Sequence, residues 1–241
     1  MRSKNRVKPP RVAIVDNSIE PEIYDPVGHW RRWLDVPWRA FTARRGEFPE
    51  PNEFSHFILT GSEASILKRD PWVDVEADLV REAAAAGAAV LGSCWGHQLI
   101  AFALAGPGCV GRCPRPEIGW IAIRADRESD LLGPPGTVHY AFSVHFDEVR
   151  DLPASFEVLA STEACRVQAF RAGDRPVWGL QSHPEIDVPE AVKTLRDFAA
   201  RGSKGREACL EALRQAPRDS GLIRRVVRSF LAAGSSDKRT Y

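Results

Sequence analysis

The 241-residue sequence predicts an α/β fold with a mainly parallel central sheet flanked by helices on both sides. Three short apolar runs, at residues 11–16, 56–60 and 88–92, have the unbroken hydrophobic character of strands buried on both faces. Helical patterns lie between these runs, and this alternation is typical of a parallel sheet covered by helices. Shorter extended segments follow from residue 118 onward and look like hairpin partners, so we also expect a smaller antiparallel sheet.

The best-marked helix is predicted over residues 70–87. Asp70 can cap its first turn, Pro71 occupies a position that needs no N–H donor, and Gly87 can end it. Its apolar residues recur at three- and four-residue spacing, which predicts a face packed on the sheet formed by Trp72, Val75, Leu79, Ala83 and Ala86. The other predicted helices are 95–104, 189–200 with Asp187 as its cap, 204–214 and 221–232, and the later extended segments are 118–124, 137–145, 156–161, 166–171 and 176–182.

Composition predicts one domain over residues 1–241, with a core at about 11–200 and a helical tail at about 201–241. Lys and Arg number 33 against 32 Asp and Glu, so net charge gives no argument for a nucleic acid or a membrane as partner. The tail is richer in basic than in acidic residues, which favours a solvated helix face over a docking surface for an acidic partner. The basic segment 1–10 is too short for a targeting peptide and is interpreted as a frayed terminus.

The cysteines point to a reducing compartment. There are five of them, an odd number, and the sequence has no apolar run long enough for a signal peptide or a membrane span. We therefore expect a cytoplasmic protein. Cys109 and Cys113 have no second cysteine or histidine pair nearby, so no metal site is predicted there.

One cysteine has the surroundings of a nucleophile. Cys94 lies in Gly-Ser-Cys-Trp-Gly, residues 92–96, between a predicted buried strand and a predicted helix. This is the layout of a nucleophile elbow, in which flanking glycines permit a sharp turn and the helix N-terminus favours the ionised thiol. The alternative is that Cys94 is a small buried apolar residue, as free cysteines often are, but the strand–turn–helix context argues against it.

A cysteine nucleophile needs a general base and a group that orients it. His183 follows a predicted strand, and Glu185 lies two residues further on, across a proline that restricts the backbone. Glu185 can therefore orient the imidazole and stabilise its charged form. His97 is the competing base, but it lies three residues after Cys94 on the same helix with no carboxylate close by.

Six segments in order resemble the class I glutamine amidotransferases, and more closely the free-standing members similar to the amidotransferase domain of GMP synthetase. The resemblance runs from about Val12 to about Glu185. It is carried by residues 59–62 (Leu-Thr-Gly-Ser), 71–72 (Pro-Trp), 91–98 (Leu-Gly-Ser-Cys-Trp-Gly-His-Gln), 117–119 (Glu-Ile-Gly), 145–149 (His-Phe-Asp-Glu-Val) with 152–153 (Leu-Pro), and 181–185 (Gln-Ser-His-Pro-Glu).

The resemblance implies roles for specific residues. It implies a triad of Cys94, His183 and Glu185, and an oxyanion hole formed by backbone N–H groups near Gly61 and of Trp95. It further implies that Gln98 helps to hold the substrate. The backbone of Ser143, Val144 and His145 is implied to bind the α-amino and carboxylate groups of that substrate. The sequence departs from the family pattern at Ser93, where an aliphatic residue is usual, at the bulky Trp95, and at residues 105–108.

The implied activity is hydrolysis of the γ-carboxamide of glutamine, or of a γ-glutamyl compound, through a thioester on Cys94, with no metal or cofactor. Ammonia would pass to a separate synthase partner, because the sequence contains no synthase domain and no Gly-x-x-x-x-Gly-Lys-Ser/Thr phosphate loop. Two alternatives stay open. The chain could be a γ-glutamyl peptidase-like hydrolase acting on a conjugate, or a catalytically silent binding module of the same fold.

Overall fold

The structure, a computed structural model, describes residues 9–202 and 205–233. Its centre is one nine-stranded sheet in the order β2-β1-β3-β4-β9-β8-β7-β5-β6. The strands are β1 (Val12–Asp16), β2 (Trp38–Thr42), β3 (His56–Leu59), β4 (Ala89–Ser93), β5 (Val110–Ala125), β6 (Val138–Val149), β7 (Phe156–Ser161), β8 (Ala169–Ala172) and β9 (Val177–Leu180). The helices are α1 (Pro26–Arg31), α2 (Trp72–Ala85), α3 (Trp95–Ala105), α4 (Val188–Ala200), α5 (Arg206–Ala212) and α6 (Leu222–Ala232).

The type of strand pairing changes once across this sheet, from parallel to antiparallel. Strands β2, β1, β3, β4 and β9 are parallel to their neighbours, and β8, β7, β5 and β6 continue the sheet in antiparallel pairs. The α/β class is confirmed. The expected antiparallel strands are present, but they extend the central sheet instead of forming a second one, because β9 pairs in parallel with β4 and in antiparallel with β8.

Both faces of the parallel strands are covered by helices, as expected. In β1, Ala13 and Val15 pack on one side with α2 and α3, whereas Val12 and Ile14 pack on the other side with α1 and α6. Helix α6 lies within the expected tail, yet Phe230 is fully buried in the second of these cores. A third cluster joins α4 and α5 to β6.

The two predicted helix caps have different outcomes. Helix α4 ends at the predicted residue, and the Asp187 carboxylate accepts the N–H of Glu190 at 3.1 Å. The predicted cap of α2 is wrong, because the backbone carbonyl of Asp70, not its side chain, accepts the N–H of Val73 at 2.9 Å. The predicted face of α2 is also partly wrong, since Val75 is 51% exposed and the carboxyl side chain of Glu76 is fully buried.

Two elements near the N-terminus had no sequence prediction. Strand β2 lies at the sheet edge and has an exposed Trp38 and Arg39, so it lacks the unbroken apolar pattern of a central strand. Helix α1 is a short segment whose first turn is capped by Asp25. The basic residues of segment 1–8, together with Lys204, Lys238 and Arg239 of the expected tail, lie outside the described residues. Among the described helices, none is long and apolar enough to cross a membrane.

The side-chain carboxyl group of Glu76 is buried next to the C-terminal ends of β1 and β3. Glu76 of α2 accepts a hydrogen bond from the Asn17 side chain at 3.1 Å, and the same amide donates to the carbonyl of Thr60 at 3.2 Å. Burial raises the pKa of Glu76 from its ordinary value of 4.5 to about 8, and the bond from Asn17 offsets only part of this rise. The carboxyl group is therefore protonated in the folded protein at neutral pH.

This raised pKa predicts a pH-dependent stability. The folded chain binds one more proton than the unfolded chain between pH 4.5 and about 8, so the free energy of unfolding falls as pH rises through that window. Glu76→Gln removes this titration, and we expect its Tm to exceed that of the wild type at pH 8 by several degrees, at about 2–4 °C per kcal/mol. Thermal unfolding at pH 5 and pH 8 measures this. Glu82→Gln, on the exposed face of α2, is the matched control, and an unchanged pH dependence in Glu76→Gln contradicts the prediction.

Candidate active site

Cys94 occupies the turn between β4 and α3. Its φ of 47° and ψ of −104° are rare for a residue with a side chain. The N–H of Cys94 donates to the carbonyl of Leu180 at 2.8 Å, which ties the turn to β9. Such a conformation costs about 1–3 kcal/mol and persists where the surrounding structure enforces it, commonly at functional sites.

The glycines on either side of Cys94 are required by close backbone approach. A Cβ on Gly92 would collide with the backbone of Gly96, and a Cβ on Gly96 would collide with the carbonyl of Leu59. The N–H of Gly96 also donates to the carbonyl of Thr60 at 3.1 Å. The turn therefore has the compact geometry predicted for a nucleophile elbow.

His183 and Glu185 form the predicted pair beside this turn. The His183 Nδ1 atom lies 2.9 Å from Oε1 of Glu185, and the His183 N–H donates to the carbonyl of Phe142 at 2.8 Å. Glu185 is fully buried, whereas His183 retains 6% exposure. The loop after β9 thus presents the imidazole to the elbow, with its other nitrogen free to face the sulfur.

Electrostatics couple these groups to the cysteine. Burial alone would lower the pKa of His183, but the charges of Cys94 and Glu185 and hydrogen bonds to both raise it to about 10. Burial would raise the pKa of Glu185, but His183 and a hydrogen bond from Tyr24 hold it below its ordinary value. The imidazolium form of His183 is therefore favoured beside the Glu185 carboxylate.

Sequence reasoning missed two further partners of the Glu185 carboxylate. The Tyr24 hydroxyl donates to Oε1 at 2.9 Å, and the Ser93 hydroxyl lies 3.3 Å from the same atom. Burial and the nearby Glu185 charge raise the pKa of Tyr24 well above its ordinary value, so its hydroxyl stays a donor. No sequence pattern marked Tyr24. In the sequence, Ser93 was only a departure from the family pattern, whereas in the structure its hydroxyl contacts the Glu185 carboxylate.

His97, the competing base, has a structural role. Its fully buried ring packs on Phe170 with a centroid distance of 4.8 Å. Burial lowers the pKa of His97 to about 3, so the imidazole is neutral. A Cβ on Gly179 would collide with this ring, which shows that His97 lies against β9. It is therefore a core residue.

The predicted oxyanion residues lie next to the triad. Gly61 follows β3, and a Cβ there would come within 2.5 Å of His183 Cε1 and 3.1 Å of the Tyr24 hydroxyl. Trp95 is the first residue of α3, so its backbone N–H belongs to the first turn after Cys94. Only glycine permits this approach at residue 61. The oxyanion role of these two N–H groups stays a prediction.

Most of the predicted substrate residues line one cavity of about 190 Å³ together with Cys94 and His183. Gln98, Val144 and His145 belong to its wall, whereas Ser143 is fully buried and lies outside the lining. The Gln98 amide donates to the carbonyl of Asp147 at 2.8 Å, so it braces the β6 segment that forms part of the wall. Its contact with a substrate remains a prediction.

His145 is held by a buried network. Its Nε2 lies 3.0 Å from the Glu117 carboxylate and its Nδ1 lies 3.1 Å from the carbonyl of Asp147. Among the described residues, Glu117, His145 and Cys165 are close enough to one another to ligate a metal ion. However, Thr162 donates to Glu117 at 2.7 Å, and the His145 and Glu117 atoms already bond each other. These hydrogen bonds explain why the three residues lie together, and they hold His145 of β6 in place.

The cavity also has charged lining residues that were not predicted. Arg112 forms an ion pair of 2.8 Å with Asp147, and the Ser65 hydroxyl lies 2.5 Å from the same carboxylate. Glu63 accepts the N–H of Ile19 at 2.9 Å. Carboxylates and a guanidinium are thus present in the cavity lining. Only Asp147 belonged to a segment that the sequence singled out.

Comparison with known proteins identifies the family. Residues 53–201 match the family described as glutamine amidotransferase class-I. One subunit of the glutamine-hydrolyzing GMP synthase of Methanocaldococcus jannaschii is 36% identical over 121 residues, which are 50% of this chain and 63% of the relative. The corresponding GMP synthase subunit from Methanothermobacter thermautotrophicus is 32% identical over 155 residues, covering 64% of this chain and 78% of the relative.

A solved structure shows the same fold. A glutamine amidotransferase from Thermotoga maritima superposes with a TM-score of 0.72 at 20% identity, over 94% of this chain and 100% of that one. The sequence match covers more than half of the chain and contains Cys94, His183 and Glu185. The chain therefore belongs to the class I glutamine amidotransferase family.

Proposed function

We propose that this protein hydrolyses the γ-carboxamide of glutamine through a thioester on Cys94. The observation that carries the proposal is that Cys94 and His183 line one cavity and that Glu185 lies behind His183 at 2.9 Å, with the charges and hydrogen bonds of Cys94 and Glu185 raising the pKa of His183 to about 10. A preformed thiolate–imidazolium pair is the state that attacks an amide carbonyl.

The proposed reaction has two stages. The Cys94 sulfur attacks the amide carbon while the N–H groups of Gly61 and Trp95 stabilise the oxyanion, at about 3 kcal/mol for each donor. His183 gives its proton to the nitrogen as the C–N bond breaks, and ammonia leaves. Water, deprotonated by His183, then cleaves the thioester, so that glutamate leaves and the thiol is restored. Glu185 orients the imidazole throughout.

The charged residues of the cavity lining suit the head group of glutamine. An α-amino acid carries one cation and one anion, and Glu63 and Asp147 can face the ammonium group while Arg112 faces the carboxylate. The side-chain amide would then extend toward Cys94.

We further propose that the ammonia passes to a separate synthase partner. The similar proteins are named as one subunit of a glutamine-hydrolyzing GMP synthase, a name that implies a second subunit for those proteins. We also propose that residues 1–241 form one domain, and that the protein is cytoplasmic, in keeping with five free thiols.

The test of this function is glutamate release. The purified chain is incubated with glutamine, alone and with a candidate synthase partner, and a glutamine analogue bearing an electrophile at its γ-carbon is used to label the nucleophile. We expect glutamate release and a mass increase on the peptide that contains Cys94. If neither glutamate nor labelled Cys94 is found under either condition, the proposal fails.

Tyr24→Phe tests the bracing of the triad. The variant removes the donor at 2.9 Å from the Glu185 carboxylate and keeps the ring, and bonds to charged groups contribute about 1.5–3 kcal/mol. Because Ser93 and His183 still contact the same oxygen, we expect a decrease in kcat of about tenfold. Steady-state glutamate release measures it. Tyr140→Phe, outside the cavity, is the control, and equal kcat values for Tyr24→Phe and wild type would show that Tyr24 does not brace Glu185.

A further inference from the structure

The peptide unit that joins Thr60 to Gly61 is held on its carbonyl side by two segments. The Thr60 carbonyl oxygen accepts the N–H of Gly96 at 3.1 Å and a hydrogen of the Asn17 side-chain amide at 3.2 Å. The Thr60 N–H donates to the carbonyl of Val15 at 3.1 Å. This peptide unit is therefore fixed both by the segment that follows β1 and by the first turn of α3.

The direction of the Gly61 N–H follows from the position of this carbonyl. The C=O and N–H groups of a trans peptide unit lie in one plane and point in opposite directions, and the described residues contain no cis peptide bond. The Gly61 N–H therefore points away from Asn17 and Gly96. Gly61 is buried, and within residues 9–202 and 205–233 its N–H donates to no acceptor. A buried N–H of this kind is rare, so this donor is free to bind a reacting oxygen.

Asn17 holds the peptide unit with a fully used amide group. The residue is 1% exposed, and its backbone N–H donates to Oγ1 of Thr60 at 2.9 Å. Its side-chain nitrogen donates one hydrogen to the Thr60 carbonyl and the other to Oε1 of Glu76 at 3.1 Å. Because a carbonyl can only accept, the nitrogen of the Asn17 amide faces Thr60 and the orientation of the amide is fixed.

Glu76 fixes the Asn17 amide from α2. The Glu76 side chain is fully buried, and its raised pKa keeps the carboxyl group protonated at neutral pH. Glu76 thus contributes an acceptor oxygen and not a charge. An apolar side chain at this position would leave the second amide hydrogen of Asn17 unpaired in the core, which is costly enough to favour a different side-chain orientation.

The cavity lining next to this peptide unit is held independently of Asn17. The carboxylate of Glu63, which lines the cavity, accepts the N–H of Ile19 at 2.9 Å and the hydroxyl of Ser18 at 3.2 Å. Removing the Asn17 amide would therefore leave Glu63 in place. It would remove one of the two donors that hold the Thr60 carbonyl.

We propose that Asn17 and Glu76 are positioning residues that orient the Gly61 N–H toward the oxyanion of the reaction. The proposal rests on the function proposed above. Glu76 holds the Asn17 amide, the amide holds the Thr60 carbonyl, and this carbonyl sets the direction of the N–H across the same peptide bond. Neither Asn17 nor Glu76 lines the cavity. Because an oxyanion donor acts mainly in the transition state, its misorientation lowers kcat more than it changes KM.

Asn17→Leu tests the proposal in the full chain at neutral pH. The variant keeps the approximate size of the side chain and removes both amide donors. We expect kcat for glutamine to fall by at least about tenfold and KM to stay within about twofold. The rate at which iodoacetamide alkylates Cys94, followed by mass spectrometry, should stay near that of the wild type, because this alkylation forms no oxyanion. Asn52→Leu, at an exposed position, is the control and should retain the wild-type kcat.

Two variants of Glu76 separate the hydrogen bond from the loss of the carboxyl group. Glu76→Gln keeps a neutral acceptor for Asn17 and should retain kcat within about twofold, whereas Glu76→Leu removes the acceptor and should lower kcat by about tenfold. This pair decides the matter if Asn17→Leu does not fold, as judged by Tm.

Three results would overturn the inference. Wild-type kcat in a folded Asn17→Leu or Glu76→Leu protein overturns it and leaves the proposed function standing. An equal loss of kcat and of the Cys94 alkylation rate also overturns it, because the elbow itself would then be disturbed. If the wild type hydrolyses no glutamine, the proposed function fails and this inference fails with it.

Discussion

Replacing Cys94 or His183 by alanine should lower kcat for glutamine by about 10⁵-fold or more. Cys94→Ala removes the atom that forms the thioester, and His183→Ala removes the proton carrier for both stages. The two groups should act as a unit, since the interaction with Cys94 is one cause of the raised pKa of His183. The double variant should therefore lose little more activity than either single variant.

Folding controls are available for this pair. Cys109→Ala removes another buried thiol, one that lies outside the cavity, and should retain the wild-type kcat. Circular dichroism and Tm confirm that each variant is folded. Glutamate release is measured over long incubations so that a residual rate can be quantified. A folded Cys94→Ala protein with wild-type turnover would exclude the thioester mechanism.

Glu185→Gln should lower kcat by about 10⁴-fold, less than the loss from removing the nucleophile. The carboxylate oxygen contacts three donors, His183 at 2.9 Å, Tyr24 at 2.9 Å and Ser93 at 3.3 Å. A neutral amide keeps the size of the side chain but loses the charge that stabilises the imidazolium. The ring of His183 would also lose the acceptor that fixes its orientation.

The same variant should change the pH profile. The charge of Glu185 is one cause of the raised pKa of His183, so removing that charge lowers this pKa from about 10. The imidazolium then deprotonates at lower pH, and the alkaline limit of kcat/KM shifts in the same direction. Profiles of wild type, Glu185→Gln and the exposed control Glu207→Gln measure the shift. An alkaline limit that stays in place in Glu185→Gln would mean that Glu185 does not set the charge state of His183.

Local sequence patterns determined the local geometry around Cys94 and His183. Gly92 and Gly96 around Cys94 encode a turn that only small residues permit, and the structure has that turn. The spacing of His183 and Glu185 across a proline encodes an orienting pair, and His183 Nδ1 lies 2.9 Å from Glu185 Oε1. These features are readable because neighbours along the chain fix the geometry.

Patterns also identified the strands at the centre of the sheet and failed at its edge. Strands β1, β3 and β4 are buried on both faces, so their apolar character is unbroken. Strand β2 is an edge strand with one neighbour and an exposed Trp38, so its sequence lacks the unbroken apolar pattern of the central strands. The buried face of α2 was misplaced at Glu76, because a carboxyl group in the core breaks the rule that charged residues face solvent.

Only the tertiary structure decided which remote residues meet. Tyr24 and Ser93 contact Glu185 from 161 and 92 positions away in the sequence, and no local periodicity encodes either contact. The order of strands brings β4 beside β9, and this pairing places the elbow next to His183. The third hydrophobic cluster likewise requires α4 to pack against β6. Local patterns specify turns and buried faces, whereas the assembly of distant segments depends on the packing of the whole sheet.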